Sequence, residues 1–259
     1  MNKTKLFHEL HHGDQPLVLP NAWDYGSAAL LAAEGFPAIG TTSLGVAVAA
    51  GLPDGTGVTG EATLALATLL ARLPVPVTVD IEGGFSENPA AVAEYAAQLA
   101  DLGIAGINLE DGRADSTLAD PEHQADLITA IKQRVPDLFV NARVDTYWVK
   151  DDIARTLTRA ERYTAAGADG IFVPGLTDPD GITQLVTTIP LPINILYSPA
   201  GPAIATLAAL GVRRVSTGSL LYRAALTTAL DTARAVRQDN TIPVPAPPYT
   251  EIQALTNPT

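Results

Sequence analysis

The most constraining feature of this sequence is a regular alternation between short apolar runs and helical patterns. Each run is rich in Val, Ile, Ala or Leu and has the length of a buried parallel strand. The predicted strands are Leu17–Ala22, Ala38–Ser43, Val77–Glu82, Gly106–Asp111, Phe139–Asp145, Gly170–Gly175, Ile193–Pro199 and Arg214–Ser219. Because a helical pattern follows each of them, the sequence predicts a parallel sheet with helical crossovers.

The helical patterns fill the intervals between these strands. They cover Tyr25–Gly35, Glu61–Arg72, Pro89–Leu102, Pro121–Val135, Asp151–Ala166, Asp180–Thr188, Pro202–Leu210 and Leu220–Arg237. Eight βα units in a chain of 259 residues favour a (β/α)₈ TIM barrel over an open doubly wound sheet. We therefore predict one barrel domain over residues 1–240. The Pro-rich tail, residues 241–259, is predicted to be an extended strap or a disordered end.

Composition excludes several classes of function. Hydrophobic residues make up 47% of the chain, and the formal net charge is -12. This charge argues against a nucleic-acid or anionic-membrane partner, since both require clustered Lys and Arg. The chain contains no Cys, which excludes disulfides, thiolate metal sites and a Cys nucleophile. With no long apolar stretch and no signal-like segment, the expectation is a soluble cytoplasmic protein.

Carboxylates occur where two neighbouring predicted strands end. Asp80 and Glu82 end the third strand, and Glu110 and Asp111 end the fourth. The carboxyl ends of parallel strands are where α/β folds place their ligands. Mg²⁺ prefers oxygen ligands, so these residues predict a magnesium site. The alternative is that they only cap helices or pair with a nearby Arg.

Arg143, on the fifth predicted strand, has two possible uses. It could be a structural partner of Asp145 or Glu110. It could also hold a substrate carboxylate through its planar guanidinium, and we favour this use because the end of a barrel strand faces the site.

Other motifs carry less weight. The run from Gly55 to Gly60 has the form G-x-G-x-x-G, but Gly and Pro break the segment before it, so a dinucleotide site lacks its strand. We interpret this run as part of a long loop over Val46–Gly60. His8, His11 and His12 are interpreted as part of a surface helix rather than a metal cluster, since adjacent helical residues point to different faces.

Five short motifs together resemble the isocitrate lyase/phosphoenolpyruvate mutase superfamily. The similarity extends over nearly the whole chain, from about residue 8 to about residue 235. The motifs are Pro20-Asn21-Ala22-Trp23-Asp24, Thr41-Thr42-Ser43-Leu44-Gly45, Asp80-Ile81-Glu82, Asn108-Leu109-Glu110-Asp111 and Asn141-Ala142-Arg143.

The resemblance implies a barrel whose last helix is often swapped between subunits, a homotetramer or homodimer, bound Mg²⁺ and a small 2-oxo or 2-hydroxy carboxylate as substrate. By position, Asp80 would bind the metal directly, while Glu82, Glu110 and Asp54 would act largely through metal-bound water. The implied substrate-binding residues are Ser43, Leu44, Gly45, Arg143 and Trp23.

One loop departs from the family pattern. Lyases of the superfamily carry a Lys-Lys/Arg-Cys-Gly-His run after the fourth strand, whereas this chain has Gly112-Arg113-Ala114-Asp115-Ser116-Thr117-Leu118. The mutase branch uses a Lys and an Asn in this loop and a His on the sixth strand, and these are absent too. The proton-transfer residue therefore stays open among Asp54, Arg113, Ser116 and Tyr197. The loop could close over the site as a lid.

Three functions remain on this basis. The first is a Mg²⁺-dependent lyase that cleaves or forms a C–C bond beside a 2-oxo or 2-hydroxy acid through a metal-stabilised enolate, with Arg143 as a catalytic residue. The second is P–C chemistry of the phosphonopyruvate hydrolase or phosphoenolpyruvate phosphonomutase type. The third is a non-catalytic protein that binds Mg²⁺ and a dicarboxylate.

Overall fold

A computed structural model describes residues 2–256. The centre of the fold is a nearly closed barrel of parallel strands. This arrangement confirms the predicted (β/α)₈ fold. The strands are β1 (Leu17–Leu19), β2 (Asn21–Ala22), β3 (Ile39–Thr41), β4 (Val77–Asp80), β5 (Gly106–Leu109), β6 (Phe139–Arg143), β7 (Gly170–Phe172), β8 (Ile193–Leu196) and β9 (Arg214–Ser216). Their order in the sheet is β1-β9-β8-β7-β6-β5-β4-β3-β2.

The first predicted strand is divided in two at Pro20. Leu17 of β1 is in register with Arg214 of β9, and Asn21 of β2 is in register with Gly40 of β3. Proline has no N–H to donate to a strand ladder, so the interruption falls where the chain passes from one neighbour to the other. The segment that contains β1 and β2 thus joins the two edges of the sheet.

Helices surround this barrel. They are α1 (Lys3–Leu10), α2 (Tyr25–Ala33), α3 (Ser43–Ala49), α4 (Gly60–Leu70), α5 (Pro89–Asp101), α6 (Pro121–Arg134), α7 (Thr146–Val149), α8 (Thr156–Ala165), α9 (Pro179–Thr188), α10 (Ile204–Ala209), α11 (Leu220–Arg237) and α12 (Tyr249–Ala254). Pro at the first turn and an Asn or Asp N-cap begin α5, α6 and α9. These are favourable helix starts, because the N-cap side chain accepts a hydrogen bond from a free N–H at the helix end.

Successive side chains along each strand point alternately to an apolar layer outside the sheet and to the polar interior of the barrel. Val77 and Val79 of β4 belong to the main hydrophobic core, in which strands pack against the outer helices. Asp80 lies on the opposite face of β4 and lines the cavity described below. The core therefore lies between sheet and helices, while polar side chains point into the barrel.

Helix α1 covers the amino-terminal end of the barrel. Phe7 is fully buried and meets Phe139 edge to face at a ring-centroid distance of 5.3 Å, and His11 stacks on Phe139 at 4.2 Å. His11 is 1% exposed, so the prediction of a surface helix was wrong for this residue. The periodicity of α1 brings Phe7 and His11, four positions apart, to the same inward face.

Three further boundaries differ from prediction. Helix α3 occupies the start of the predicted loop 46–60, because Val46 and Ala47 are buried beside the barrel. The predicted helix Asp151–Ala166 begins later, at Thr156, after a 3₁₀ turn over Ile153–Arg155. The tail contains the helix α12, where an extended or disordered segment was predicted; residues 257–259 lie outside the described part of the chain.

Helix α11 has an exposed apolar face. Leu226, Leu230 and Val236 are each at least half exposed, whereas Tyr222 and Ala235 are buried. This face suits burial against another subunit, and the swap of this helix stays a prediction. Among residues 2–256, every helix is too short or too polar to cross a membrane.

Candidate active site

A cavity of about 330 Å³ opens at the carboxyl-terminal ends of the strands. It lies where (β/α)₈ barrels place their ligands. Eight of the residues predicted for the site line it together: Ser43, Leu44, Asp54, Asp80, Glu110, Arg113, Ser116 and Arg143.

Arg143 lies at the centre of a group of carboxylates. Its Nη1 is 2.5 Å from Glu110 Oε2 and 3.8 Å from Asp80 Oδ2, and its Nη2 is 3.1 Å from Asp145 Oδ1. All three carboxylates come from the ends of the neighbouring strands β4, β5 and β6. The structural pairing considered for Arg143 from sequence is therefore present, and both partners named there take part.

Burial changes the titration of these groups. Removal from water raises the pKa of Asp80 to about 6, although the charge of Arg143 opposes the shift. Burial also raises the pKa of Glu110, again against the effect of Arg143. For Arg143 burial acts in the opposite direction, but Asp145, Glu110 and Asp80 together raise its pKa above the ordinary value. Two carboxylates with raised pKa values beside a cavity are typical of a functional site.

The cavity lining carries more negative than positive charge. Four carboxylates line it, those of Asp54, Asp80, Glu110 and Asp145, against the two guanidiniums of Arg113 and Arg143. The formal excess is two negative charges. Within residues 2–256, no three His, Asp or Glu side chains converge as direct ligands of one metal ion.

Glu82 does not line the cavity. Its carboxylate accepts hydrogen bonds from the N–H of Gly57, at 2.9 Å, and from the hydroxyl of Thr59. Its backbone adopts a left-handed conformation with φ 50°. Glu82 thus fastens the loop that carries Asp54 to the end of β4. Gly57, part of the G-x-G-x-x-G run, binds this carboxylate, and the run follows a helix rather than a strand.

The predicted substrate-binding residues divide into two groups. Ser43 and Leu44 line the cavity at the start of α3, where the first N–H groups have no acceptor within the helix. Gly45 packs instead against Trp23, since a Cβ at this position would lie 2.7 Å from the Trp23 Cβ. Trp23 meets Tyr222 edge to face at 5.2 Å and does not line the cavity.

The loop after β5 is held by its own hydrogen bonds. Arg113 and Thr117 are joined through their backbones, and Gly112 and Leu118 form a short antiparallel bridge. Arg113 Nη1 donates to the Gly112 carbonyl at 3.1 Å, and its Nε lies 3.7 Å from Glu87. Arg113 and Ser116 nevertheless line the mouth of the cavity. Motion of this loop as a lid stays a prediction.

Behind the site, Asp111 joins the strand end to α8. It is fully buried and accepts hydrogen bonds from Tyr163 at 2.6 Å, from Arg159 at 3.1 Å and from the Asp145 N–H at 2.8 Å. Through Asp145 this network fixes the position of Arg143. Asp111 was predicted to be near a metal, but its oxygens face these donors.

Sequence reasoning missed the polar floor of the cavity. Asn108 and Ser216 line the cavity from below, and both hydrogen-bond to the buried Arg214, whose Nη2 is 3.1 Å from Asn108 Oδ1 and whose Nε is 3.0 Å from Ser216 Oγ. Polar residues at alternate positions of otherwise apolar strands were the available signal, because side chains two apart share a face. Arg214-Val215-Ser216 and Asn108-Leu109-Glu110 both have this pattern.

Comparison with known proteins places this geometry in context. The family model described as phosphoenolpyruvate phosphomutase matches residues 7–237. An uncharacterized protein of Mycobacterium tuberculosis (strain H37Rv) is 53% identical over 250 residues, which cover 96% of this chain and 95% of that protein. The 2-methylisocitrate lyase of Bacillus subtilis is 32% identical over 198 residues, covering 72% of this chain and 64% of the lyase.

A solved structure agrees with the fold. The crystal structure of a proposed phosphonomutase from Burkholderia cenocepacia J2315 superimposes with a TM-score of 0.85 at 38% sequence identity, covering 90% of this chain and 100% of that one.

Proposed function

Because this chain belongs to the phosphoenolpyruvate phosphomutase family, within the isocitrate lyase/phosphoenolpyruvate mutase superfamily, we propose that it is a Mg²⁺-dependent lyase. It would cleave or form a C–C bond beside the oxo or hydroxyl carbon of a small carboxylic acid. The observation that carries this proposal is that Asp80 and Glu110 both lie beside Nη1 of Arg143 at a cavity of about 330 Å³.

The donor chemistry of the cavity fits a divalent cation. Its lining has an excess of two carboxylates, and burial raises the pKa of Asp80, so a cation at this point would stabilise the ionised form. Mg²⁺ is usually held by one or two carboxylates and keeps several waters, so it does not require three converging side chains. Asp80 would bind the ion, with Glu110 and Asp54 beside it.

When bound, the ion would polarise the substrate's oxo group and offset the negative charge that develops on its oxygen. Ser43 and Leu44 would orient the substrate carboxylate, since the start of α3 supplies free N–H donors and a hydroxyl. Arg143 would hold the reacting end from the other side with its planar guanidinium. Asp145 would keep Arg143 in place, and Asp111 would keep Asp145 in place.

The proton-transfer step has three candidates at the mouth of the cavity: Asp54, Arg113 and Ser116. Asp54 and Ser116 are exposed, so either would exchange protons directly with solvent. Tyr197 does not line the cavity, which favours the other three.

Chemistry at a P–C bond is the second candidate. It is favoured by the similarity to the proposed phosphonomutase of Burkholderia cenocepacia, at 38% identity. Against it, no Lys or His lines the described cavity, so a phosphonate would meet Arg143 and Arg113 alone.

The other expectations from sequence enter as parts of this proposal. The substrate would be a small carboxylate, and the chain would bind neither nucleic acid nor a membrane. The chain would work in the cytoplasm as a homodimer or homotetramer that buries the apolar face of α11.

A turnover screen by ¹H and ³¹P NMR tests the proposal. The panel contains oxaloacetate, 2-methylmalate, 2,3-dimethylmalate, methylisocitrate and phosphonopyruvate, each with Mg²⁺ and with EDTA. Pyruvate, glyoxylate or another 2-oxo acid formed from a carbon acid, and lost with EDTA, supports the C–C lyase. Phosphate or phosphoenolpyruvate formed from phosphonopyruvate supports the P–C alternative.

Matched variants separate the site from the fold. Asp80→Asn should strongly reduce turnover, while Asp101→Asn, on the outside of α5, should leave it unchanged. Stabilisation by Mg²⁺ and oxalate without any turnover would instead indicate a non-catalytic binding protein.

A further inference from the structure

Four asparagines within residues 2–256 are buried: Asn21, Asn108, Asn141 and Asn194. Two of them, Asn21 and Asn108, line the cavity. A side-chain amide carries one acceptor oxygen and a nitrogen with two donors, and a buried amide normally has partners for these groups. The use that each asparagine makes of its nitrogen therefore shows whether a donor is left for a ligand.

The amide nitrogens of three of these asparagines are not available to a ligand. Asn21 Nδ2 donates to the Thr41 carbonyl at 2.7 Å, and Asn141 Nδ2 donates to Asn108 Oδ1 at 2.9 Å. Asn194 does not line the cavity, and its Nδ2 is buried inside the protein. Of the four, only Asn108 is left as a source of a free donor.

The orientation of the Asn108 amide is fixed by its partners. Its Oδ1 accepts hydrogen bonds from Arg214 Nη2 at 3.1 Å and from Asn141 Nδ2 at 2.9 Å. A guanidinium has donors and no acceptor, so the atom of Asn108 that faces Arg214 must be the oxygen. The nitrogen is the other branch of the amide, and it has no hydrogen-bond partner in the described part of the chain.

This free nitrogen reaches the cavity. Asn108 lines the cavity and, unlike the nitrogen of Asn194, its Nδ2 is not closed off from the surface. Asn108 is in register with Asp80 of β4, and Glu110 follows two positions later and also lines the cavity. The floor of the site thus presents a neutral donor beside the carboxylates proposed to hold the ion. An amide N–H can only donate, so its partner in a complex is an acceptor such as a carboxylate or oxo oxygen.

We infer that Asn108 is a further substrate-contacting residue, which donates a hydrogen bond from Nδ2 to an oxygen of the acid bound in the cavity. This inference rests on the proposed function and adds a residue to the same site. Arg214 and Asn141 hold the amide in one orientation before a ligand arrives. A donor that needs no rearrangement stabilises negative charge on an oxygen at little cost.

Calorimetric titration of oxalate into the full chain, at saturating Mg²⁺, tests the inference. Asn108→Asp keeps the acceptor for Arg214 and replaces the donor with an oxygen, so oxalate should bind at least about tenfold more weakly. Asn108→Leu removes the donor without adding a charge and should also weaken oxalate binding by about tenfold. Mg²⁺ titrated alone should still bind both variants, because Asp80 is unchanged.

Asn194→Asp is the matched control for the added charge. Asn194 is in register with Arg214, and its Oδ1 accepts a hydrogen bond from Ser216 Oγ at 3.1 Å, but it does not line the cavity. The variant therefore places a carboxylate in the same polar interior without changing the donor at the floor. It should keep most of the wild-type affinity for oxalate.

The outcomes separate this inference from the proposed function. If folded Asn108→Leu binds oxalate as tightly as wild type, or Asn194→Asp weakens oxalate binding as much as Asn108→Asp, the inference is overturned and the proposed function stands. If Asn108→Leu does not fold, the comparison of Asn108→Asp with Asn194→Asp decides. If wild type does not bind oxalate in Mg²⁺, the proposed function is overturned together with the inference.

Discussion

The two ends of the barrel each bury an arginine, and they balance its charge in different ways. At the carboxyl-terminal end, Arg143 contacts three carboxylates, which raise its pKa. Toward the other end, Arg214 is fully buried, bonds to Asn108 and Ser216 and lies 6.0 Å from the centre of the Phe7 ring. Burial lowers the pKa of Arg214 to about 9.

This difference separates a reactive end from a structural end. The site end has more carboxylates than cations, an arrangement that favours the binding of a further positive charge. The end beneath α1 has neutral partners and aromatic packing, which close the barrel. In (β/α)₈ barrels the carboxyl-terminal face carries chemistry and the opposite face carries stability.

The largest effect is expected from Arg143→Met. Loss of the guanidinium removes the group proposed to hold the reacting end, so turnover should fall about 100–1000-fold. The NMR assay with the best substrate of the panel measures the change. Arg162→Met, which removes an arginine on the outer face of α8, is the control and should retain activity. Activity above half of wild type in a folded Arg143→Met protein would contradict the assignment.

Magnesium should act on the site end alone. At a concentration 100 times its dissociation constant, Mg²⁺ should raise the free energy of unfolding by about 2.7 kcal/mol. Urea denaturation with and without the ion measures this. Asp80→Asn should lose the effect, because the carboxylate proposed to bind the ion is removed. His11→Phe, at the other end, should keep it; if both variants lose it equally, the ion does not bind at Asp80.

Mild acid should act on the structural end through His11. Burial, with a further contribution from Arg214, lowers the pKa of His11 to about 3, so the folded protein keeps this imidazole neutral. The unfolded chain protonates it below about pH 6.5, and stability is therefore lost as pH falls from 6.5 toward 3. At pH 5 the loss relative to pH 7 should be about 2 kcal/mol from this residue.

Urea denaturation at pH 7 and pH 5 tests the contribution of His11. His11→Phe should show a smaller loss between the two pH values than wild type. His12→Phe changes the exposed neighbour and should behave like wild type. An equal loss in all three proteins would assign the acid sensitivity to other groups.

The two ends were also predictable from sequence to different degrees. The strand pattern predicted the barrel. The polar residues at the strand ends predicted that Asp80, Glu110 and Arg143 lie close together. The third strand was predicted to end at Glu82, but β4 ends at Asp80. Glu82 has a positive φ, and its side chain turns away from β4 to bind Gly57. The contact between Glu82 and the loop at Gly57 determines where the strand ends. The periodicity of the sequence carries no information about such a contact.

The structural end was largely missed. His11 was assigned to the surface because α1 precedes the first strand and is rich in polar residues. His11 is buried against Phe139, which is far away in the chain, so the contact cannot be seen in the local sequence. Arg214 was missed for a similar reason, because its partners Asn108 and Phe7 are far away in the chain.

The smallest effect concerns how α1 is held onto the barrel. Lys3 Nζ donates hydrogen bonds to the carbonyls of Ala71 at 2.8 Å and Leu73 at 2.6 Å, and partial burial lowers its pKa. Lys3→Met should reduce the free energy of unfolding by about 1 kcal/mol, since two carbonyls then lose their donor. Lys5→Met, which removes an exposed lysine 3.8 Å from Glu9, should change it by less than about 0.5 kcal/mol. If Lys3→Met also weakened Mg²⁺ binding, the two ends of the barrel would be coupled, and the separation between a reactive and a structural end would not hold.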